Sequence, residues 1–211
     1  MGYVPKYKYD IFISYAHANN EMRLKEQGWV DLFHDELTKE LNSDLRPRVE
    51  IFRDKKLTGF DTFDEQLKAA LAEGVSLIKP NLVELSDLVG TSLGNDDARL
   101  RACRKLIEIG RVKIVALTLG EDGALLVTAD QAFRSAPMAI EPISTVGAGD
   151  SFVGGLVAAL ASGESLEQAF RVAVAAASAA VMSPGTELCR EVDVQRLLPE
   201  VKISELARAH A

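Results

Sequence analysis

Residues 75–90, VSLIKPNLVELSDLVG, decide how this chain is read. Val75–Lys79 is a short apolar, β-favouring run, and Pro80 stops it because proline lacks an N–H and restricts the residue before it. Asn81 can cap a helix through its side-chain oxygen, Leu82–Val89 supplies that helix, and Gly90 can adopt the left-handed backbone that ends one. The unit is strand, tight turn, helix. The same alternation runs outward on both sides. Ahead of it, Asp10–Tyr15 (DIFISY) reads as a buried strand. Lys25–Asn42 reads as an amphipathic helix with Trp29, Val30, Leu32, Phe33, Leu37 and Leu41 at helical spacing. Val49–Arg53 is a second strand, and Lys55–Phe60 is a loop holding Gly59. Asp61 can cap a helix through Glu73 with Phe63, Leu67, Ala70 and Leu71 inward.

Behind it, Asp96–Ile109 is predicted as a helix and Lys113–Leu119 as a fourth strand. Gly123–Thr128 and Ala132–Ala139 form a β-ribbon. Gly147–Ala161 and Leu166–Met182 are Ala-rich helices, and Val192–Leu198 and Ile203–Ala209 are short terminal helices. This order predicts an α/β fold with a doubly wound, mainly parallel sheet covered on both faces, Rossmann-like or flavodoxin-like. A three-layer sandwich with a small β-ribbon, in one continuous domain, is the expected architecture.

Composition narrows the function classes. The chain has 211 residues, 47% of them hydrophobic, enough for a sizeable core. The net charge is -7 and no Lys/Arg block appears, which argues against a nucleic-acid partner. The most apolar stretch, Gly154–Val181, is interrupted by Ser162, Gly163, Glu164, Glu167, Gln168 and Arg171, so it reads as two buried helices and not a membrane span. The N-terminal residues, Met1–Asp10, lack an apolar signal region, and Cys103 and Cys189 have no companions at metal spacing. A reduced, cytoplasmic protein is expected. His17, His34 and His210 have no ligand-like spacing either.

The chemistry-bearing pattern is Thr145-Val146-Gly147-Ala148-Gly149-Asp150 at the start of a helix. Glycines let backbone N–H groups approach an anion, and a helix N-terminus favours negative charge. Read from the residues alone, this is a Gly-rich helix start with Asp150 as a plain cap. Asn81 and Glu84 lie three apart on one face at a helix start, where they read as an N-cap and a solvated face residue. Gly120-Glu121-Asp122-Gly123 is a tight connection in any reading.

Four segments in order, LIKPNLVELSDLVG, IVALTLGEDGALLVT, STVGAGDSFVGG and AAASAAVMSPGTELC, resemble PfkB-type sugar kinases of the ribokinase superfamily. The resemblance runs from Val75 to about Val201 and is nearest to the type II 6-phosphofructokinases. It implies that Asp150 is the general base and that Gly147, Ala148 and Gly149 form the anion hole. Lys79 would meet a phosphate, and Asn81 and Glu84 would hold the water shell of Mg²⁺ carried by ATP. Thr118, Gly120, Ser183 and Gly185 would border the nucleotide. Pro184 and Glu187 depart from the family pattern near a monovalent-cation site, which puts cation binding there in doubt.

The front of the chain, YDIFISYAHANNE and then VEIFRDKKLTGFDTFDEQLKAAL, resembles a bacterial TIR domain over Tyr9–Glu73. That likeness implies a signalling or NAD-cleaving module. The cleaving members use a glutamate on a later helix, and here the TIR pattern stops first, so no NAD use is expected. The two resemblances meet near Gly74 without a linker. They imply a fold chimera, engineered in look, with residues 1–74 TIR-derived and 75–211 kinase-derived. On that reading Val75–Lys79 pairs beside Asp10–Tyr15. The front half of a PfkB kinase, which supplies the sugar pocket and lid, would be replaced. The expectation is then no complete active site, with weak Mg-ATP or phosphate binding at most. An ATP-dependent sugar kinase of phosphofructokinase type is the alternative. The sequence sets no oligomeric state.

Overall fold

The computed structural model describes residues 11–13, 22–24, 27–28, 38–39, 51–53, 71, 74–109, 112–184 and 189–206. In the front segment, Ile11–Ile13 (β1) pairs in parallel with Ile51–Arg53 (β4). Met22–Leu24 (β2) and Gln27–Gly28 (β3) form a small antiparallel pair. The Lys25–Asn42 helix is corrected at its start, because β3 falls inside it; residues 38 and 39 are helical. The Lys55–Phe60 loop lies outside the described residues, as does most of the Asp61–Glu73 helix.

Val75–Ile78 (β5) begins a five-stranded sheet with Val112–Thr118 (β6), Ala124–Val127 (β7), Ala132–Ser135 (β8) and Ile203–Glu205 (β9), in that spatial order. The strand–turn–helix reading of residues 75–90 holds closely. β5 leads into Leu82–Val89 (α1), capped by Asn81 and closed by Gly90 in the left-handed region at φ 69°. Asp96–Glu108 (α2) follows, with the Asn95 side chain accepting from the Ala98 N–H. Ala148–Ala161 (α3) and Leu166–Val181 (α4) are the Ala-rich pair, and Glu191–Leu197 (α5) is the first of the terminal elements.

The fold is α/β, and its main sheet is mixed. β5 and β6 run parallel, whereas β7, β8 and β9 are added antiparallel. The expectation of a mainly parallel sheet missed this because the ribbon does not stand apart. The tight turn after β6 folds β7 back onto it, and a short turn does the same for β8. Ile203–Ala209 is corrected too. Its described part is strand β9, drawn to the open edge of β8: Leu206 donates to Ala132 O at 2.8 Å and Ala136 donates to Lys202 O at 2.9 Å. An unpaired edge offers backbone partners that outweigh a weak helical propensity.

The proposed pairing of Val75–Lys79 beside Asp10–Tyr15 is also not what the ladders show. β5 pairs with β6, and β1 pairs with β4 in a separate sheet. Cα atoms of β1 come within 8 Å of β5, yet no β1–β5 ladder forms among the described residues.

Alternation along β6 and β7 explains the layers. Val115, Leu117, Leu125 and Val127 face α1 and α2 with Leu85, Leu100, Cys103 and Leu106. Ala116, Ala124 and Leu126 face the other way, onto Phe152, Leu156, Phe170 and Ala173 of α3 and α4. A strand buried on both faces must be apolar throughout, as ALLV is. Phe152 and Phe170 meet edge to face at 6.2 Å, and each buried ring contributes about 1.5–3 kcal/mol. Gly155 lets α3 and α4 close together, since a Cβ there would lie 3.0 Å from Ala176 Cβ and 3.2 Å from Val172 O. Cys103 is fully buried, and burial pushes its thiol up to about 12, so it packs as a small apolar group. Among the described residues no helix is long and apolar enough to cross a membrane.

Candidate active site

The candidate site forms where the parallel pair β5–β6 ends. In sheets of this kind ligands collect at the carboxyl ends of parallel strands. Lys79 follows β5 directly, and Thr118 closes β6. The pair stays in register past the regular strand: Asn81 bridges to Thr118, whose N–H donates to Pro80 O at 3.0 Å and whose hydroxyl reaches the same oxygen at 3.4 Å. Pro80 donates nothing, so its carbonyl serves as the shared acceptor.

Asn81 and Glu84 form a reciprocal capping box. Asn81 Oδ1 accepts from the Glu84 N–H at 2.9 Å, and Glu84 Oε2 accepts from the Asn81 N–H at 2.7 Å. The cap reading of Asn81 is therefore correct, and Glu84, expected as a solvated face residue, completes the cap. It does not use all their oxygens, and a contact to a hydrated cation would fall to Glu84 Oε1.

The start of α3 is built differently. Gly147 sits at its N-cap with φ 79°, in the left-handed region, and no side chain caps the helix. The first backbone bond into the helix is Ser151 N–H to Gly147 O at 2.9 Å. The N–H groups of Ala148, Gly149 and Asp150 precede it and have no carbonyl within the helix to bond. Asp150 lies exposed in this first turn and does not cap its own helix. Lys79 comes from the other element: a Cβ on Gly149 would lie 3.2 Å from Lys79 Nζ and 3.3 Å from its Cε. Residues 79 and 149 are thus brought together across the fold. An ammonium stands over the open donors at the helix start, an arrangement suited to a phosphate group.

Gly120 opens the turn after β6 at φ 62°, and Gly120–Asp122 is a single 3-10 turn closed by Gly123 N–H to Gly120 O at 3.2 Å. Ser183 is buried at the end of α4, and its hydroxyl donates back to Ala179 O at 3.3 Å, a local structural bond. Gly185 lies outside the described residues. Ser151 was not singled out by the sequence. It is buried under the start of α3, and its Oγ accepts from the Cys189 N–H at 3.4 Å, tying that helix to the chain beyond the 185–188 stretch.

Residues 34–193 match the model of the pfkB family carbohydrate kinases. The ATP-dependent 6-phosphofructokinase isozyme 2 of Escherichia coli (strain K12) is 42% identical over 138 residues, which cover 65% of this chain and 45% of that protein. The 1-phosphofructokinase of Borreliella burgdorferi is 33% identical over 157 residues, 74% of this chain and 50% of that protein. The crystal structure of phosphofructokinase-2 from Escherichia coli in complex with substrates and products superposes with a TM-score of 0.64 at 36% identity. That likeness covers 79% of this chain and 52% of that one. The chain spans about half the length of the curated relatives it matches.

The family match begins at residue 34, well ahead of Gly74. It overturns the join of a TIR piece with a kinase half, and with it the expectation of a fold chimera lacking a complete active site. The physical reason is that the front signals were generic. A buried strand, an amphipathic helix and a glycine-bearing loop occur throughout α/β folds and do not identify a family.

Proposed function

The chain belongs to the pfkB family of carbohydrate kinases, and from that premise we propose that it carries the nucleotide and phosphoryl-transfer site of an ATP-dependent sugar kinase. The observation that carries the reading is Lys79 Nζ standing over Gly149 at the uncapped start of α3. Phosphoryl transfer asks a protein mainly for placement and for stabilisation of charge on the moving group. The open amides of Ala148 to Asp150 would receive that charge, and the Lys79 ammonium would balance it from β5.

Mg-ATP supplies the transferring phosphoryl group and a cation that prefers oxygen ligands and keeps its waters. The residues present fit it: donors gather at α3, and the acceptors Asn81 and Glu84 stand on the neighbouring helix start. Thr118 and Gly120 would border the nucleotide beside them. Asp150, in the first turn of α3 and free of capping duty, would take the proton from the acceptor hydroxyl. The relatives' names support a phosphorylated sugar as acceptor, with fructose 6-phosphate the first to try.

The experiment is coupled ADP release with Mg-ATP and fructose 6-phosphate, for this chain and for Asp150→Asn. Loss of a positioned base should lower kcat by about 10²–10⁴-fold while Mg-ATP still binds in calorimetry. Equal turnover in the two proteins would remove Asp150 from the chemistry. No sugar-dependent ADP release at all would remove the kinase reading.

A further inference from the structure

The turn at Gly120–Gly123 is closed at its base, where Leu119 N–H donates to Gly123 O at 2.9 Å, and its other backbone bonds are longer. Asp122 N–H reaches Leu119 O at 3.3 Å and Gly123 N–H reaches Gly120 O at 3.2 Å. A guanidinium from β8 holds it from outside. Arg134 Nη2 donates to Asp122 O at 2.8 Å, and Nη1 donates to Ala124 O at 3.4 Å and to Ser135 O. Its Nε donates to Asp96 Oδ2 at 2.9 Å, a pair 38 residues apart in sequence. Asp96 is fixed in turn: its Oδ1 accepts from Arg99 Nη1 at 2.7 Å, and Arg99 Nε donates to Leu93 O at 3.1 Å. Gly123 makes the room. Its φ is 93°, and a Cβ there would sit 2.6 Å from Ser135 O and 3.0 Å from Arg134 Nη1.

An exposed ion pair contributes little, but the Arg134 side chain is only 17% exposed, and besides Asp96 it holds one carbonyl of the turn, Asp122 O, and two of the flanking strands, Ala124 O and Ser135 O. α2, β8 and the turn are joined through one side chain. The turn carries Gly120, on the strand end that meets Asn81 through Thr118.

We propose that Arg134, anchored by Asp96, is a positioning residue that presets the Gly120–Gly123 turn for the nucleotide, so that affinity depends on a side chain that does not touch it. This rests on the Mg-ATP reading above. The arginine fork spaces its donors, so Nε meets Asp96 while Nη2 meets the Asp122 carbonyl; the three donors of a lysine ammonium radiate from one nitrogen and lack that span.

The test is calorimetric titration of Mg-ATP into the parent, Arg134→Ala and Arg134→Lys, with amide hydrogen exchange of residues 119–124 measured without nucleotide. Arg134→Ala should bind about tenfold more weakly, the equivalent of one charge-assisted hydrogen bond. Exchange in the turn should quicken while α3 and α4 keep their protection. Arg134→Lys should fall between, and free guanidinium ion should restore part of the affinity of Arg134→Ala. A purely structural role would move unfolding and leave the dissociation constant of the folded protein alone. Parental affinity in both variants, or an unchanged turn, overturns the inference and leaves the nucleotide site standing. A parent that binds no Mg-ATP removes the nucleotide reading and this inference with it. If Arg134→Ala does not fold, Arg134→Lys decides, and parental affinity in that variant is the contrary result.

Discussion

The two helices that open toward the candidate site, α1 and α3, begin in opposite ways. α1 closes its own start with the reciprocal bonds between Asn81 and Glu84. α3 begins at a left-handed glycine with no side-chain cap, and an ammonium stands over its second residue. A capped end satisfies its donors from within and adds stability. An uncapped end leaves them for an anion and forgoes that stability. The difference separates a helix start whose donors are satisfied by its own side chains from one whose first donors are left open. The glycines divide in the same way: Gly155 makes room for a helix, and Gly149 makes room for a charge.

Changes that confuse the two roles should break the comparison. The largest effect on the fold is expected at Gly155. Gly155→Leu drives a side chain into Ala176 and the Val172 carbonyl, and overpacking of this kind costs about 1–3 kcal/mol in urea unfolding. Stability within about 0.5 kcal/mol of the parent would show that α3 and α4 can separate cheaply. A smaller loss is expected at the capped start. Asn81→Ala removes the acceptor for the Glu84 N–H and should cost about 1 kcal/mol, with Asn81→Ser restoring most of it. If Asn81→Ser instead matches Asn81→Ala, the amide matters for something other than the cap.

The smallest effect is in the acid limb of stability. Burial raises the Asp96 carboxyl, but hydrogen bonds and charge from Arg134 and Arg99 outweigh it and hold the group below its ordinary 3.8. A carboxylate depressed in the folded state adds stability above its unfolded value and loses it as pH falls through the folded one. Denaturation midpoints of the parent should therefore drop below about pH 4, and Asp96→Asn should flatten that drop. Parallel curves for the two proteins would contradict the assignment.

Much of this was legible because local chemistry was consistent. Val75–Gly90 carries a stop, a cap and a C-terminal glycine in the right order, and the structure follows each. The GAGD segment marks a Gly-rich helix start, though its residues alone left Asp150 as a cap, which the structure does not show. What was hidden depends on distance in sequence. Lys79 and Gly149 meet only through the sheet, and nothing local marks Arg134 as the partner of Asp96. β9 reads as helix because the β8 edge that captures it lies far upstream. The front of the chain misled for the opposite reason: its local signals were clear but shared by many α/β folds.

The central claim is that the uncapped start of α3 and Lys79 together form the phosphate site. Titration of Mg-ATP into the parent and Gly149→Val tests it most directly. A valine Cβ would lie 3.2 Å from Lys79 Nζ, and its two methyl groups add further bulk where that ammonium stands. The account predicts affinity lower by about 10–100-fold, the value of one or two charge-assisted hydrogen bonds, with α3 still folded by hydrogen exchange. Parental affinity in a folded Gly149→Val protein would contradict it.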